Sequence, residues 1–168
     1  MRRFVGRLGA RWRSFVREAD EVRDASSAIA ATIRERRRPD DRALSVLPKL
    51  SRPADGRISG HFAMRDGRLH EGIDIAAPEG TPVLAALAGV VLLASELSGY
   101  GRVVVLDHGA DLATVYAHLA CLDVAEGARV EAGGRLGAVG TSGRAFGAHL
   151  HFEVRLDGTA VDPLVFVS

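Results

Sequence analysis

The chain has 168 residues, 47% of them hydrophobic, enough to bury one core and carry an appendage. Its net charge of +1 is unevenly placed: residues 1–50 hold 13 Lys and Arg against 7 Asp and Glu, and residues 51–168 hold 9 against 14. No run approaches the ~18 uninterrupted apolar residues of a membrane span, and the single cysteine, Cys121, excludes an internal disulfide and a cysteine zinc cluster.

Met1-Arg2-Arg3 opens like a signal peptide, but Arg7, Arg11 and Arg13 interrupt the apolar run that should follow, so no signal peptide is visible. Residues 1–36 read instead as a helical, heptad-patterned arm. Val5, Leu8, Trp12, Phe15, Ala19, Val22, Ser26, Ile29 and Ile33 alternate spacings of three and four, with Arg and Glu filling most positions between. Such a seam over residues 5–33 pairs with a helical partner or a second copy, or docks on the chain's own domain; the pattern leaves both open. The basic excess suits an anionic surface or a solvated helix. The arm's aromatics, Phe4, Trp12 and Phe15, lie on or beside the seam, so nothing favours nucleic-acid binding.

Residues 37–56 read as a linker. Pro39 disfavours helix in the residue before it, Pro48 and Pro53 follow, and Asp55-Gly56 has turn chemistry. Residues 57–168 read as one all-β domain, with candidate strands at 57–62, 72–77, 82–94, 102–107, 112–118, 135–139 and 149–156. Glycine turns such as Ser98-Gly99, Gly133-Gly134 and Asp157-Gly158 separate them. Cys121, beside Ala120 and Leu122, reads as a small buried hydrophobe.

All six histidines fall in this β region. Side chains two apart on a strand share a face, so His149 and His151 stand together with Glu153 and Arg155, opposite Leu150, Phe152 and Val154. His70 and Asp74, four apart, also share a face, and if Gly72 keeps the chain extended Glu71 faces away, which favours Asp74 over Glu71. Imidazole and carboxylate together suit zinc, and a catalytic zinc site uses three protein ligands. His70, Asp74 and one of the His149/His151 pair supply three. The other histidine of the pair, with His118, is left for proton and charge work, since imidazole titrates near ~6.5. Zinc brings its water to a pKa near ~7 and so makes hydroxide available. His61 reads as a strand-end residue and His108, at a turn, as structural or substrate-side. Ser142 sits in Gly140-Thr141-Ser142-Gly143 with no strand-to-helix elbow, which argues against a serine nucleophile.

Three stretches carry a resemblance: Arg65 with the following "GRLHEGIDIAAPEGTPVLAALAGVV", then "VVLDHGADLATVYAHL", then "GAVGTSGRAFGAHLHFEVRLDGTAVDP". In this order they resemble the lysostaphin-like (LytM-type) zinc endopeptidases, which cut the peptide part of bacterial peptidoglycan. The resemblance implies a mainly β fold, a small antiparallel β-sheet domain of the LytM/lysostaphin type (a duplicated hybrid motif), here preceded by the α-helical arm. It implies Zn2+ on His70, Asp74 and His151, with His118 and His149 catalytic. Two positions depart from the family pattern. His61-Phe62-Ala63-Met64 stands where a Phe-Gly pair usually precedes the arginine, and Ala148 replaces the usual proline before the histidine pair.

The arm with "LPKLSRPADGRISGHF" also resembles the junction of EnvC-like proteins, in which a coiled coil precedes a LytM-type domain that activates cell-wall amidases. Those domains typically lack some zinc ligands, whereas this chain keeps them all. The implied function is hydrolysis of peptide stems or crosslinks of peptidoglycan, with zinc-activated water as nucleophile. The alternative is a non-cleaving module that activates amidases. Either role places the chain in the cell envelope.

Overall fold

The computed structural model describes residues 23–35, 48–65 and 67–167. The seam positions from Val5 to Val22 and the boundary residues 36–47 lie outside the described residues. Residues 23–35 are helical. The strands that follow are β1 (Arg57–Gly60), β2 (Ala63–Arg65), β3 (Arg68–His70), β4 (Ile73–Ala76), β5 (Pro82–Leu84) and β6 (Gly89–Leu97). Then come β7 (Gly101–Gly109), β8 (Leu112–Leu122), β9 (Arg129–Val130), β10 (Arg135–Val139), β11 (His149–Leu156) and β12 (Thr159–Val161). A 3-10 turn, Pro163–Val165, follows β12.

Among the described residues, β2 and β3 pair as a separate hairpin and the other strands form one antiparallel sheet. Its main order is β1-β4-β11-β8-β7-β6-β9; β12 pairs with β11, and β10 pairs with both β8 and β5. Two two-residue turns close hairpins. Ala110 and Asp111 join β7 to β8 with φ 50° and 66°, and Asp157 and Gly158 join β11 to β12 with φ 48° and 75°. Positive φ at both central residues matches the right-handed twist of the strands they connect.

The apolar run 82–94 is two strands rather than one. Residues 85–88 leave the ladder, and their backbone groups are satisfied elsewhere. Ala85 exchanges bonds with Gly133 and Gly134, Ala86 bonds Ser51 and the Tyr116 hydroxyl, and the Ala88 carbonyl accepts from His108. Ala85 and Ala86 are apolar because they are buried, not because the segment is extended. The strand expected to end at 118 continues to Leu122. It changes partners on the way: residues 112–117 face β11, and residues 119–122 face β10.

The sheet has two buried faces. On one, Leu150, Phe152 and Val154 of β11 join Ile73, Ile75, Tyr116 and Leu106 in the larger core. On the other, Val103, Val105, Ala113, Val115 and Ala117 are covered by Ala25, Ile29 and Ile33 of the helix. The described part of the arm therefore docks on its own domain, through a stripe recurring every four residues. Cys121 is partly exposed rather than buried, because it lies on the open end of β8, with Sγ 3.6 Å from Asp123 Oδ1.

His108 is structural. Its Nδ1 donates to the Ala88 carbonyl at 2.8 Å and its Nε2 meets Thr114 Oγ1 at 2.7 Å. Burial lowers its pKa from the ordinary 6.5, against the opposing pull of Ala88 and Asp107. A histidine with a lowered folded pKa binds its proton more readily when unfolded, so its contribution to stability is lost as pH falls below about 6.5. Wild type is expected to lose more unfolding free energy than His108→Gln between pH 7.5 and pH 5, as read by denaturant titration at each pH.

Candidate metal centre

Asp74 on β4 and His151 on β11 are direct cross-strand partners. His70, the last residue of β3, completes a cluster in which three side chains able to hold a metal ion converge. His70 Nε2 lies 3.0 Å from Asp74 Oδ1 and 3.1 Å from His151 Nδ1, and His151 Nδ1 lies 3.0 Å from Asp74 Oδ1. Tetrahedral zinc with bonds of ~2.0–2.1 Å holds its ligand atoms about 3.3 Å apart, so this triangle needs little expansion to admit the ion. Two imidazole nitrogens and a carboxylate are also the donor chemistry of catalytic zinc.

Each imidazole is oriented by its other nitrogen. His70 Nδ1 donates to the His61 carbonyl at 2.8 Å, which leaves the Nε2 lone pair for a cation. His151 Nε2 meets Glu153 Oε1 at 3.0 Å, which leaves Nδ1. Glu153 is fully buried and also accepts from the Tyr100 hydroxyl at 2.7 Å and Arg155 Nε at 2.6 Å. Burial raises its pKa, but Arg155 and His151 outweigh that and bring it down to about 2. Burial likewise opposes ionisation of Asp74, yet the bonds from His151 and His70 hold it well below the carboxylate range. For His151, burial works against the charged form, but its bonds to Asp74 and Glu153 raise its pKa to about 9. The Asp74 carboxylate therefore stays ionised at the point where a cation would sit.

The remaining two histidines stand beside this triangle. His149 Nδ1 donates to the Gly147 carbonyl at 2.8 Å, and its Nε2 is 3.7 Å from Asp74 Oδ1. His118 owes its place to a β-bulge. Arg102 and Val104 of β7 oppose Leu119 and Tyr116 of β8, so β8 carries one extra residue there, and His118 has φ 62°. Bulges re-aim a side chain beside a site, and a non-glycine residue at positive φ costs on the order of 1–3 kcal/mol. His118 Nδ1 donates to the Ser142 carbonyl at 2.8 Å, and its ring lies 4.7 Å from that of His149. Ser142 is fixed in turn, since its hydroxyl donates to Leu119 O at 2.8 Å and accepts from Arg102 N at 2.9 Å. Gly101, at φ 66°, lets this loop lie directly against β7. Burial and the neighbouring His151 push the pKa of His118 down to about 4.

A cleft of about 660 Å³ opens over these residues, bordered by Arg65, Leu69, Arg144 and the almost fully exposed Phe146. Arg65 pairs with Asp74 Oδ2 at 3.3 Å. The sequence alone does not give the roles of Tyr100, Glu153 and the carbonyls of His61 and Ser142. For Glu153 the signal existed, because it shares strand parity with His151. The two carbonyls leave no mark in residue type.

Residues 68–163 match the pattern of Peptidase family M23. The chain belongs to this family. It is 42% identical over 119 residues to the DD-carboxypeptidase/endopeptidase Mpg of Neisseria meningitidis serogroup B, covering 71% of this chain and 27% of that protein. It is 34% identical over 116 residues to the murein hydrolase activator NlpD of Salmonella typhimurium, covering 68% of this chain and 30% of NlpD. Among solved structures, a putative peptidase M23 from Pseudomonas aeruginosa superposes with a TM-score of 0.68 at 35% identity, over 88% of this chain and 60% of that one. The chain therefore spans about a quarter of Mpg and less than a third of NlpD.

Within this M23 domain, Gly72 sits against β11. A Cβ there would collide with the Phe152 carbonyl and press on the His151 ring. Gly72→Ala is expected to destabilise the fold by about 1–3 kcal/mol in denaturant unfolding and to weaken metal uptake measured by equilibrium dialysis.

Proposed function

We propose that the chain is a zinc-dependent endopeptidase that hydrolyses peptide stems or crosslinks of bacterial peptidoglycan, acting in the cell envelope. The observation that carries this reading is the convergence of His70, Asp74 and His151 on one point, with His118 and His149 beside them. The family membership and the similarity to a DD-carboxypeptidase/endopeptidase support it. In this reading His70 Nε2, Asp74 Oδ1 and His151 Nδ1 hold zinc. When bound, the ion supplies Lewis-acid polarisation of a carbonyl and makes hydroxide accessible at neutral pH.

The chain's own residues do the rest. His118, with its pKa near 4, is neutral at physiological pH. Its Nδ1 proton is committed to Ser142, so Nε2 is the atom that accepts a hydrogen bond or proton. His149 is held the same way by Gly147 and also presents Nε2. The two histidines accept the proton of the attacking water and return one to the leaving amine. The cleft bordered by Leu69, Phe146, Arg65 and Arg144 receives a peptide that carries both apolar and carboxylate groups.

A second reading, a non-cleaving activator of cell-wall amidases, is favoured by the similarity to NlpD. One experiment separates the two. Purified peptidoglycan is incubated with the full chain, with or without a purified amidase, and released muropeptides are identified by mass spectrometry. The enzyme reading expects peptide-cleaved fragments from the chain alone and one zinc per chain by elemental analysis. It also expects His149→Ala and His118→Ala to keep zinc while kcat/KM falls about 10²–10⁴-fold. Fragments that appear only with amidase present, and that show amidase cleavage alone, support the activator and contradict the enzyme.

A further inference from the structure

A line of buried polar contacts leads away from the metal centre and ends on the helix. His151, Glu153 and Arg155 stand at successive two-residue steps on one face of β11. His151 Nε2 meets Glu153 Oε1 at 3.0 Å, and Glu153 Oε2 takes Arg155 Nε at 2.6 Å. The Glu153 side chain is 0% exposed and that of Arg155 is 2% exposed, so both are shielded from bulk solvent. The guanidinium has further partners in protein. Its NH1 reaches the carbonyls of Gly158 at 3.1 Å and Ser26 at 3.4 Å. Its NH2 reaches Ser26 Oγ at 2.9 Å, Glu71 Oε2 at 3.0 Å and the Tyr100 hydroxyl at 3.4 Å. The Ser26 hydroxyl donates to Glu71.

This arrangement bears on the site. The guanidinium is a rigid planar fork, so fixing its far end fixes Nε and with it the Glu153 carboxylate. That carboxylate sets the ring plane and tautomer of His151. Glu71 is the chain neighbour of His70, so the same guanidinium ties together the segments that carry two of the three ligands. Ser26 is also the polar break in the apolar seam that continues through Ile29 and Ile33. Ala25, Ile29 and Ile33 supply the helix's packing, whereas Ser26 supplies a hydroxyl and a carbonyl.

We propose that Ser26, presented by helix 23–35, is a positioning residue of the metal centre: it seats Arg155, which through Glu153 fixes His151 for metal binding. This rests on the reading of His70, Asp74 and His151 as metal ligands. The arm is then part of the site's supporting structure as well as cover for the sheet.

The test uses the full chain and cobalt(II) as the probe, with affinity measured by chelator competition and ligand geometry by the visible absorption bands. Ser26→Ala is expected to fold, to bind cobalt about 10-fold more weakly and to show altered band positions. Ser26→Thr, which keeps a hydroxyl, restores both. Glu71→Ala, at a partly exposed position, weakens binding in the same direction should Ser26→Ala fold poorly. Val91→Ala, in the core on the opposite face, lowers the melting temperature but keeps wild-type affinity and spectrum. Wild-type affinity and spectrum in Ser26→Ala and Glu71→Ala overturn the proposal, as does an equal affinity loss in Val91→Ala. A wild type that binds neither cobalt nor zinc overturns the ligand reading itself, a different result from a wild type that binds and variants that match it.

Discussion

Strand β11 lies between β4 and β8, with His151 opposite Asp74 on one side and Ala117 on the other. That register is what the site depends on, and hydrophobic burial on the opposite face enforces it. Leu150, Phe152 and Val154 are each fully buried in the larger core. Burying side chains of this kind contributes about 1.5–3 kcal/mol apiece. A slip of one residue would exchange the faces, placing three apolar side chains among the histidines and the histidines in the core. The position of the triangle of His70, Asp74 and His151 is therefore a consequence of the core, and polar contacts adjust it only locally.

Those polar contacts are nonetheless costly to assemble. Glu153 and Arg155 are a buried ion pair, and such a pair gains little over an apolar replacement while losing one partner costs 3–5 kcal/mol, as an order of magnitude. What the pair provides is direction. A carboxylate beneath His151 holds Nε2 and leaves Nδ1 pointing into the triangle. On the other side, backbone carbonyls of His61, Gly147 and Ser142 hold His70, His149 and His118 by their Nδ1 atoms. Four imidazoles are thus aimed by acceptors that cannot themselves titrate near neutral pH. Loops rather than strands supply those carbonyls, so loop geometry tunes a site that the sheet positions.

Much of this was legible in the sequence because strand parity is a strict rule. Alternation along 149–156 separated the core face from the polar face, and Asp157-Gly158 marked the turn that ends β11. The residues alone left His118 and one of the His149/His151 pair for proton work, and the resemblance divided that pair; the place of His118 in the fold is not given by residue spacing. Its bulge depends on the pairing of β8 with β7, a long-range relation that no local pattern encodes. Short exposed strands such as β2 and β3 went unread because they bury too little to show a period. The run 82–94 misled for the opposite reason, since burial without extension looks like a strand. Gly140-Thr141-Ser142-Gly143 was read as a turn; that Ser142 anchors His118 follows only from the fold. The heptad seam named Ile29 and Ile33 but left their partner open, and the sheet beneath them answers it for the described residues.

Anomalous diffraction at the zinc edge, from crystals of the full chain grown with zinc, tests the central claim most directly. One strong peak is expected, bonded to His70 Nε2, an Asp74 carboxylate oxygen and His151 Nδ1, with His118 and His149 outside bonding distance. A peak bonded to His149 or His118 in place of His151, a peak reached through His151 Nε2, or no peak within the triangle would contradict it.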